Sequence, residues 1–595
     1  MQYSLGFDLS TQQLKCVAVD QRMRTCAEVK VDFDADLPHY NTNKGVYIDG
    51  DTVNSPVGQW VEAMDLVMER LVASGLDLGL VVAVSGSCQQ HGSVFWSEDA
   101  SELLAGLQKG KGSLVDQLVP GAFSRPTAPN WQDHSTQKQC QEMEASVGGP
   151  QSMAQITGSR AHFRFTGPQI LKVIETEPEA YESTHAITLV SNFATSLLCG
   201  KLVELEESDA CGMNLYDIKG RTFHKPLIDL LESKRVAPTG PSLLSKLLGE
   251  PIKVQDTRST PVCAGHIAPY FSERYGINPE CQVYPFTGDN LATLCSLPMG
   301  NGDVMVSLGT STTVLLVTEQ YHPSPNYHLF LHPTIPDHYM AMICYCNGSL
   351  AREQVRNLLN VACHSPSQRV HPSDWHAFND AVADDSLDTS GELGVYFPLG
   401  EIVPSVPAVT SRVLFDRGSG EILEHVHQFS DTRHDAKVIV ESQALSCRVR
   451  IAPLLTARPG SFHTTVPANT MVKFDYDSMC LLDLVDRRPE RCFFVGGASR
   501  NNAIVQRFAK VLGATEGNYR SENPNACAIG GCYKALWSYE AGRSGNCTEF
   551  SQFLHKNMPA DDIARVSDPD EAAWDHYNHS IVALSNLEGE LGEAK

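Results

Sequence analysis

Two acidic residues occupy positions from which a carboxylate could do chemistry. Asp8 comes at the end of the apolar stretch 5–9, and Asp289 follows the apolar stretch 283–286 and a Thr-Gly pair. A carboxylate at a strand end can accept a proton from an attacking hydroxyl or bind a divalent cation through oxygen. An aspartate in such a place can also form an Asx turn or cap a helix. Both readings remain open for Asp289 on these residues alone.

A second set of residues is suited to recognising hydroxyl groups. Gln90 and His91 stand in a Gln-Gln-His-Gly segment after the predicted strand 80–84. Paired amides and an imidazole at a strand exit can donate to and accept from several hydroxyls at once. Arg164 lies between two phenylalanines, which could hold its guanidinium rigid; a surface ion pair is the alternative for this arginine.

Two similar turns, each rich in hydroxyl or glycine residues, are candidates for binding phosphate through their N–H groups. The first lies in the predicted hairpin 5–20 and contains Ser10, Thr11 and Gln12; the second lies in the hairpin 304–318 and contains Gly309, Thr310 and Ser311. The two hairpins align with Phe7 on Val306, Leu9 on Leu308 and Thr11 on Thr310. Each hairpin opens about half of the chain, which predicts a duplicated domain with one acidic and one neutral phosphate loop.

The elements between these hairpins alternate between strand and helix. An amphipathic stretch begins near Val57, an apolar strand follows it, and a strand, a glycine pair and a helix recur around 491–512. The pattern predicts an α/β protein with the actin-like ATPase (ribonuclease H-like) fold, built as two duplicated lobes with an interlobe cleft. We place the lobe boundary at 295/296, beside the Pro- and Gly-rich stretch 298–302.

A glycine-rich segment at 106–112 looks like a nucleotide-binding P-loop. Its spacing is short by one residue, the residue after Lys111 is Gly112 rather than Ser or Thr, and no strand precedes it. We therefore predict a surface turn there. The two hairpin turns remain the phosphate-binding candidates.

The amino-acid composition of the chain limits the kinds of partner that it could bind. With 595 residues, 42% hydrophobic and 19% charged, the chain should form two large folded domains. The net charge of −24 argues against binding nucleic acid or a membrane surface. Scattered cysteines without a CxxC spacing favour reduced thiols over disulfides or zinc, and no apolar run is long enough to span a bilayer. We expect a cytoplasmic protein, monomeric or homodimeric.

Several short motifs together resemble the FGGY carbohydrate kinases, particularly the eukaryotic members that act on D-xylulose. The resemblance covers about residues 3–542 and rests on six segments in the family's order: 6–11 (GFDLST), 89–92 (QQHG), 164–167 (RFTG), 287–290 (TGDN), 347–350 (NGSL) and 496–501 (GGASRN). Each segment is weak alone, and their common order makes the resemblance specific. Two departures from the family are Leu291, where relatives commonly have a small residue or Pro, and Cys346, where many have Lys.

The resemblance assigns the acidic and hydroxyl-recognising residues to roles. It implies that Asp289 is the general base and that Asp8 lies beside the β and γ phosphates, where it would help to hold Mg²⁺, directly or through water. It implies that the sugar is bound by residues of the first lobe, 1–295, with the base at the edge of that lobe. These residues are Gln90, His91, Arg164, Asp133, Asp289 and Asn290.

The resemblance also implies ATP as co-substrate, bound mainly by the second lobe, 296–595. The implied ATP-binding residues are Ser10, Thr11, Gln12, Gly309, Thr310, Ser311, Trp375, Gly496, Gly497, Ala498 and Asn501. For Trp375 a core position is the alternative, and for the glycine pair a plain strand-to-helix turn. Glu441 and Gln443 resemble a family helix and are interpreted as structural. Residues 455–485 and the tail 545–595 are predicted to be elaborations of this lobe.

The implied reaction is ATP-dependent phosphorylation of D-xylulose to D-xylulose 5-phosphate, in pentose catabolism. Another FGGY kinase, acting on ribulose, fuculose, gluconate or glycerol, is the first alternative. An actin- or chaperone-like assembly ATPase is the second, and the combination of Asp289 with His91 argues against it. Because the implied site residues are spread over both halves of the chain, we expect the lobes to close when sugar and ATP bind.

Overall fold

The computed structural model describes residues 2–236, 243–253, 261–363, 371, 373–457, 466–474 and 478–593. Its strands are β1 Tyr3–Leu9, β2 Gln13–Asp20, β3 Thr25–Asp32, β4 Tyr47–Asp49, β5 Thr52–Pro56, β6 Val81–Cys88, β7 Ser93–Ser97, β8 Thr127–Pro129, β9 Thr184–Leu189, β10 Tyr216–Asp217, β11 Thr222–Phe223, β12 Gly265–His266, β13 Gln282–Val283, β14 Thr287–Gly288, β15 Val304–Leu308, β16 Thr312–Thr318, β17 His328–Leu331, β18 Tyr339–Tyr345, β19 Glu392–Phe397, β20 Val409–Phe415, β21 Ile422–Val426, β22 Met471–Val472, β23 Met479–Cys480, β24 Arg491–Val495, β25 Gly517–Arg520 and β26 Ala564–Ser567.

The α-helices lie between and after these strands. In chain order they are α1 Phe33–Asp36, α2 Val57–Ala73, α3 Ala100–Ala105, α4 Leu114–Leu118, α5 Gln137–Ser146, α6 Pro150–Thr157, α7 Thr166–Thr176, α8 Pro178–Glu182, α9 Val190–Cys199, α10 Glu207–Ala210, α11 Lys225–Glu232, α12 Leu243–Leu248, α13 Pro269–Tyr275, α14 Asp289–Leu294, α15 Ser349–Cys363, α16 His376–Ala383, α17 Thr432–Ile451, α18 Leu481–Val485, α19 Asn502–Leu512, α20 Ala526–Ser544, α21 Phe550–Asn557, α22 Glu571–His576 and α23 Asn578–Glu593. Among the described residues, no helix combines the length and apolar character needed to cross a bilayer.

The chain divides into two compact units, and two segments return to the first unit after the chain has entered the second. Unit 1 contains residues 1–299, 323–339 and 525–559, and unit 2 contains residues 300–322, 340–524 and 560–595. Unit 1 therefore includes the whole predicted first lobe and two stretches from beyond the predicted boundary.

The main sheet of unit 1 has the strand order β12-β13-β6-β1-β2-β3, with β14 also paired to β6. Strand β1 pairs with β2 in antiparallel and with β6 in parallel orientation, which confirms the predicted first hairpin. Both β1 and β6 are almost wholly buried, as expected for central strands covered on both faces. Helix α2 begins at Val57, where the amphipathic stretch was predicted, and packs its apolar face into this core.

Helix α20, from the second half of the sequence, packs directly on β1 and β6 of unit 1. The contact depends on glycines, because side chains would hold the helix and the sheet apart. A Cβ atom at Gly6 would lie 1.9 Å from the carbonyl oxygen of Ala528, and one at Gly531 would lie 2.7 Å from the Cα atom of Gly86. These distances are far below van der Waals contact, so α20 sits as close to the sheet as backbone atoms allow.

We expect Gly6→Ala to lower the thermal unfolding midpoint of the protein. The new methyl group would meet backbone atoms of α20, which cannot turn away as a side chain can, and overpacking of this kind typically costs about 1–3 kcal/mol. The matched control is Gly110→Ala, where a Cβ would meet nothing within 4 Å. Equal midpoints for the two variants in differential scanning calorimetry would contradict this close packing.

The main sheet of unit 2 repeats the central arrangement of unit 1. Its strands follow the order β18-β16-β15-β24-β25-β26. Strand β15 pairs with β16 in antiparallel and with β24 in parallel orientation, just as β1 pairs with β2 and β6. In each unit three residues separate the two hairpin strands, Ser10 to Gln12 in one and Gly309 to Ser311 in the other. The predicted duplication of the hairpin is therefore confirmed.

The tail is part of both compact units rather than an appendage. Residues 545–559 belong to unit 1, and residues 560–595 to unit 2, where β26 adds to the sheet edge beside β25. The indole of Trp574 lies close to two guanidiniums, with Arg448 at 4.6 Å and Arg488 at 4.3 Å from the ring. Of the predicted elaboration 455–485, residues 458–465 and 475–477 lie outside the described residues.

Candidate active site

Asp289 is the first residue of helix α14, directly after the short strand β14. The Thr-Gly pair before this aspartate forms β14, in which Thr287 and Gly288 pair with Ser87 and Cys88 of β6. The Asp289 carboxylate Oδ1 accepts hydrogen bonds from the backbone N–H of Asn290 at 2.8 Å and from its side-chain amide at 3.2 Å. The carboxylate therefore stands at the end of β14 and at the start of a helix.

The environment of Asp289 raises the pKa of its carboxylate well above that of an ordinary aspartate. Burial raises its pKa to about 7, the negative charge of Asp8 adds to the rise, and Asp209 contributes further in the same direction. The hydrogen bond from Asn290 opposes these effects. A carboxylate with a pKa near neutrality can accept a proton and release it again under physiological conditions.

Asp8 lies on β1, with its carboxylate buried beside β6. Its Oδ1 accepts a hydrogen bond from the Ser87 hydroxyl at 3.1 Å, and Lys15 is its register partner across the hairpin. Burial raises the pKa of Asp8, while the Ser87 hydrogen bond and the charge of Lys15 oppose the rise. The electrostatic effect of Asp8 on Asp289 places the two predicted catalytic acids in one charged neighbourhood of unit 1.

Asp209 is a third acid of this neighbourhood, and it was not among the residues predicted from the sequence. Its Oδ2 accepts a hydrogen bond from Ser191 at 2.6 Å, and its Oδ1 accepts one from the Gln90 amide at 3.4 Å. Burial raises its pKa to about 7, and the charge of Glu206 adds to the rise. Nothing in the local sequence around Asp209 signals this position, because Gln90, which links it to Asn290, lies 119 positions away along the chain.

Gln90 connects Asn290 with Asp209. The Asn290 amide donates to the Gln90 Oε1 at 2.9 Å, and the Gln90 amide in turn donates to Asp209. The chain passes so close to Gln90 that a Cβ atom at Gly288 would lie 2.4 Å from the Gln90 Cγ atom. The glycine before Asp289 is therefore required by the packing of the site.

His91 is held in one orientation and in one tautomer. Its backbone has a left-handed φ of 72°, and the Thr166 hydroxyl donates to its carbonyl oxygen at 2.9 Å. Its Nδ1 lies 3.0 Å from the carbonyl oxygen of Gly212. Since that carbonyl can only accept, Nδ1 carries the proton, and Nε2 is left as an acceptor for a hydroxyl. Burial and the charge of Arg164 lower the pKa of His91 well below its usual value, so the ring is neutral.

Arg164 lies against Phe165, as the sequence predicted. Its guanidinium carbon is 5.7 Å from the centre of the Phe165 ring, and the His91 ring stacks on Phe165 at 4.1 Å. The Arg164 Nη2 also donates to the Nε2 of His328 at 3.1 Å. His328 belongs to the segment 323–339 that returns to unit 1. This histidine was not predicted from the sequence, because it lies beyond the predicted lobe boundary.

Asp133 is buried and already has a full set of hydrogen-bond donors. Its Oδ2 accepts from the N–H of Val53 at 2.9 Å, and its Oδ1 accepts from Gln169 at 2.7 Å and from Ser135. These bonds fix the segment that contains Asp133. Its predicted role in sugar binding stays a prediction, and the structure adds a structural role.

The first hairpin turn borders a cavity of 560 Å³ in unit 1. Ser10, Thr11 and Gln12 line it together with Lys44 and Trp131. The Trp131 Nε1 donates to the Thr11 hydroxyl at 2.8 Å, although 43% of Trp131 is exposed. The three residues predicted to bind phosphate therefore lie together at the wall of an open cavity.

The second hairpin turn borders a larger cavity of 1170 Å³ in unit 2. Six of the predicted ATP-binding residues line it: Gly309, Thr310, Trp375, Gly497, Ala498 and Asn501. The other two from this half of the chain, Ser311 and Gly496, are exposed and adjoin Thr310 and Gly497. Residues from separate stretches of sequence thus meet at one cavity, whose volume is sufficient for a nucleotide.

The wall of this cavity differs in one detail from the sequence interpretation. A short 3₁₀ turn, Gly497–Arg500, begins at the second glycine of the pair, and helix α19 begins only at Asn502. Asn501 caps this helix: its Oδ1 accepts from the N–H of Ile504 at 3.3 Å, and its amide donates to Asn379 at 2.7 Å. Trp375 is half-buried and lines the cavity, which argues against the alternative core position, and Arg356 lies 4.4 Å from its ring. The predicted contact of Trp375 with ATP stays a prediction.

Gln443 of unit 2 supports the second hairpin turn through the neighbouring segment at Asn347 and Gly348. The Gln443 amide donates to the carbonyl oxygen of Asn347 at 2.9 Å, and Gln443 accepts from Arg352 at 2.6 Å. The carbonyl oxygen of Thr310 accepts from the N–H of Gly348 at 3.0 Å. Glu441 accepts from Thr389 and Tyr577. These contacts agree with the structural interpretation of Glu441 and Gln443.

Comparison with known proteins identifies the class of enzyme. The FGGY family of carbohydrate kinases matches in both of its domains, the N-terminal domain over residues 127–295 and the C-terminal domain over residues 304–539. The chain belongs to this family. It is therefore a carbohydrate kinase, for which ATP is the co-substrate and a small sugar the acceptor. The predicted family and α/β fold are confirmed.

Individual relatives extend the match over nearly the whole chain. The xylulose kinase of Saccharomyces cerevisiae is 57% identical over 590 residues, which cover 99% of this chain and 96% of that protein. The xylulose kinase of Schizosaccharomyces pombe is 42% identical and covers 98% of both chains. The crystal structure of xylulose kinase from Rhodospirillum rubrum superimposes with a TM-score of 0.71 at 15% identity, covering 100% of this chain and 99% of that one. At that identity the structural likeness supports the shared fold.

Proposed function

We propose that the protein transfers the γ-phosphoryl group of ATP to the O5 hydroxyl of D-xylulose, giving D-xylulose 5-phosphate and ADP. The observation that carries the choice of sugar is the 57% identity to the S. cerevisiae xylulose kinase over almost the full length of both proteins. The neutral His91 acceptor and the near-neutral pKa of Asp289 are consistent with this chemistry.

The proposed mechanism gives Asp289 the role of general base. The carboxylate accepts the proton of the attacking hydroxyl as the oxygen–phosphorus bond forms and the bond to the ADP leaving group breaks. Gln90, His91, Arg164 and Asn290 would orient the ketose. Because phosphoryl transfer needs mostly positioning and charge stabilisation, fixing the acceptor hydroxyl in place is a large part of catalysis.

The nucleotide would occupy the 1170 Å³ cavity of unit 2, with Trp375 and Gly497 near the base and ribose and the turn at Gly309 near the phosphates. The amides and hydroxyls of Ser10, Thr11 and Gln12 would contact the phosphates from the first hairpin. These assignments make unit 1 the sugar-binding unit and unit 2 the unit that binds most of the nucleotide.

Asp8 is the residue we propose for holding Mg²⁺, directly or through water. Among the described residues no cluster of three or more His, Cys, Asp or Glu side chains is arranged as a metal site. A single carboxylate fits magnesium that arrives with ATP, because this ion keeps several waters and binds phosphate oxygens together with one or two carboxylates. The ion would neutralise charge on the transferred phosphoryl group, and Asp8 would fix its position.

We also propose that the protein works in the cytoplasm, as a monomer or a homodimer. The cysteines whose side chains the structure describes are all free thiols, which is consistent with a reducing compartment. Gel filtration with light scattering would determine the oligomeric state, and fluorescence microscopy of a tagged protein would determine the compartment.

A panel of acceptors tests the proposal against its alternatives. We expect D-xylulose to give the highest kcat/KM in an ADP-release assay that also includes ribulose, fuculose, gluconate and glycerol. A site whose buried polar groups match one ketose loses about 1–3 kcal/mol when a hydroxyl is misplaced, which is roughly five- to 150-fold in kcat/KM. If another acceptor in the panel gave a higher kcat/KM, the family assignment would stand and that acceptor would replace D-xylulose as the proposed substrate. ADP release that no acceptor accelerates would favour an assembly ATPase.

A further inference from the structure

His328 is a buried histidine beside the residues proposed to bind the sugar. It opens strand β17 in the segment 323–339, which belongs to unit 1, and only 5% of it is exposed. Its ring packs against His162 at 4.9 Å and against Phe165 at 5.3 Å. The segment thus brings a polar side chain into an aromatic cluster that also contains His91 and Arg164.

Two hydrogen bonds fix the tautomer of His328. The Arg164 Nη2 lies 3.1 Å from its Nε2, and the Ser159 hydroxyl oxygen lies 3.0 Å from its Nδ1. A guanidinium can only donate, so Nε2 must be unprotonated and must accept from Arg164. In a neutral ring the proton then resides on Nδ1, which donates to Ser159. The chain Ser159–His328–Arg164 therefore has one consistent pattern of donors and acceptors.

The surroundings of His328 maintain this pattern of hydrogen-bond donors and acceptors at neutral pH. Burial and the charge of Arg164 lower the pKa of His328 well below its usual value. The same two causes lower the pKa values of His91 and His162. All three rings are consequently neutral, and the Arg164 guanidinium contacts one of them at His328 and lies against the Phe165 ring. A protonated His328 would lose the acceptor and repel Arg164.

We propose that His328 is a positioning residue that orients the Arg164 guanidinium toward the acceptor ketose. This inference deepens the proposed function and rests on it, because it takes Arg164 as a sugar-binding residue. An arginine has several rotatable bonds and stays in one orientation only where partners hold it. Phe165 constrains the plane of the guanidinium, and His328 fixes one of its nitrogens, so the other donors point in a defined direction.

The test compares variants that remove the hydrogen bond with variants that disturb only the packing. His328→Leu replaces the imidazole with an apolar side chain of moderate size, which cannot accept a hydrogen bond from Arg164. We expect it to lower kcat/KM for D-xylulose about 10- to 100-fold, mainly through KM, because a hydrogen bond to a charged group contributes about that much. KM for ATP should change less than twofold, since the proposed ATP-binding cavity of unit 2 is untouched.

Three further variants separate positioning from a merely structural role. His328→Gln can place its amide oxygen near the former Nε2 and should recover most of the sugar affinity. Ser159→Ala removes the acceptor for the Nδ1 proton of His328 and should raise KM for the sugar several-fold. It does so without enlarging the space that the His328 ring occupies. The packing control is Phe330→Leu, because Phe330 contacts the His328 ring at 6.0 Å without a hydrogen bond. This control should leave the sugar KM within twofold.

A double-variant cycle with Arg164→Ala completes the test. If His328 acts through Arg164, His328→Leu should cause no further loss once the arginine is gone. Additive losses, or an unchanged sugar KM in a folded His328→Leu enzyme, would overturn the inference while leaving the proposed function intact. Wild-type enzyme that does not phosphorylate D-xylulose would instead contradict the proposed function, and the same variants would then be measured with the preferred acceptor from the panel.

Discussion

Replacing Asp289 with Asn should reduce turnover by about 10²- to 10⁴-fold, the usual cost of removing a positioned general base. Asn keeps the size of the side chain and can still accept a hydrogen bond from Asn290, but it cannot take up a proton. Binding of ATP and sugar should persist, because the ligand-orienting residues remain. Steady-state turnover at saturating ATP and sugar measures the loss, and isothermal titration calorimetry measures the binding.

The stability of this variant provides an internal check on folding. Because the folded protein raises the pKa of Asp289 to about 7, ionising this half-buried aspartate destabilises the wild-type protein as pH rises from about 4 to about 7. Asp289→Asn removes that effect. Its thermal midpoint should therefore exceed the wild-type value at pH 8, and the difference should vanish near pH 4. An exposed carboxylate variant, Asp229→Asn, serves as the matched control and should change neither turnover nor midpoint by much.

A variant that retains more than about half of the wild-type turnover while properly folded would exclude Asp289 as the base. The structure then offers Asp209 as the next acid to test, since burial also raises its pKa to about 7. A stable but inactive Asp289→Asn enzyme that has also lost sugar affinity would assign the carboxylate to binding rather than to proton transfer.

The parts of the site that could be predicted from sequence are those that local patterns determine. The hairpin at 5–20 is indicated by two apolar runs around a small polar turn, and its repeat at 304–318 has the same spacing. Because the residues of each turn are consecutive, the turn positions of Ser10 and Gly309 follow from the strands that flank them. The helix that starts at Val57 is likewise predicted by the amphipathic pattern of its residues.

The parts that could not be predicted depend on contacts between distant segments. Helix α20 belongs to unit 1 because Gly6, Gly86 and Gly531 leave room for it, and no local pattern around residue 526 signals that partner. His328 and Asp209 join the site through hydrogen bonds to residues more than a hundred positions away. Asp289 follows a strand and begins a helix, because Thr287 and Gly288 pair with the distant strand β6.

The pH dependence of the wild-type enzyme should report the raised pKa of Asp289. Only the ionised carboxylate can accept the proton, so kcat/KM for the sugar should be constant above about pH 8 and fall about tenfold per pH unit below about pH 7. At about pH 5 the loss should approach roughly 100-fold. The measurement is made at saturating ATP and Mg²⁺, so that kcat/KM for the sugar reports on the enzyme that has bound ATP but not yet the sugar.

The charges near Asp289 predict the direction in which a substitution should shift this pH profile. Burial is the largest cause of the raised pKa of Asp289, and the charges of Asp8 and Asp209 raise it further, so the apparent pKa belongs to the group of acids rather than to one residue. Asp209→Asn removes one of these charges and should move the acidic limb of the profile to lower pH. The residual activity of Asp289→Asn should lack this limb. A wild-type profile that stays flat from about pH 8 to about pH 5.5 would contradict a buried, charge-coupled base, because a carboxylate with an ordinary pKa stays ionised throughout that range.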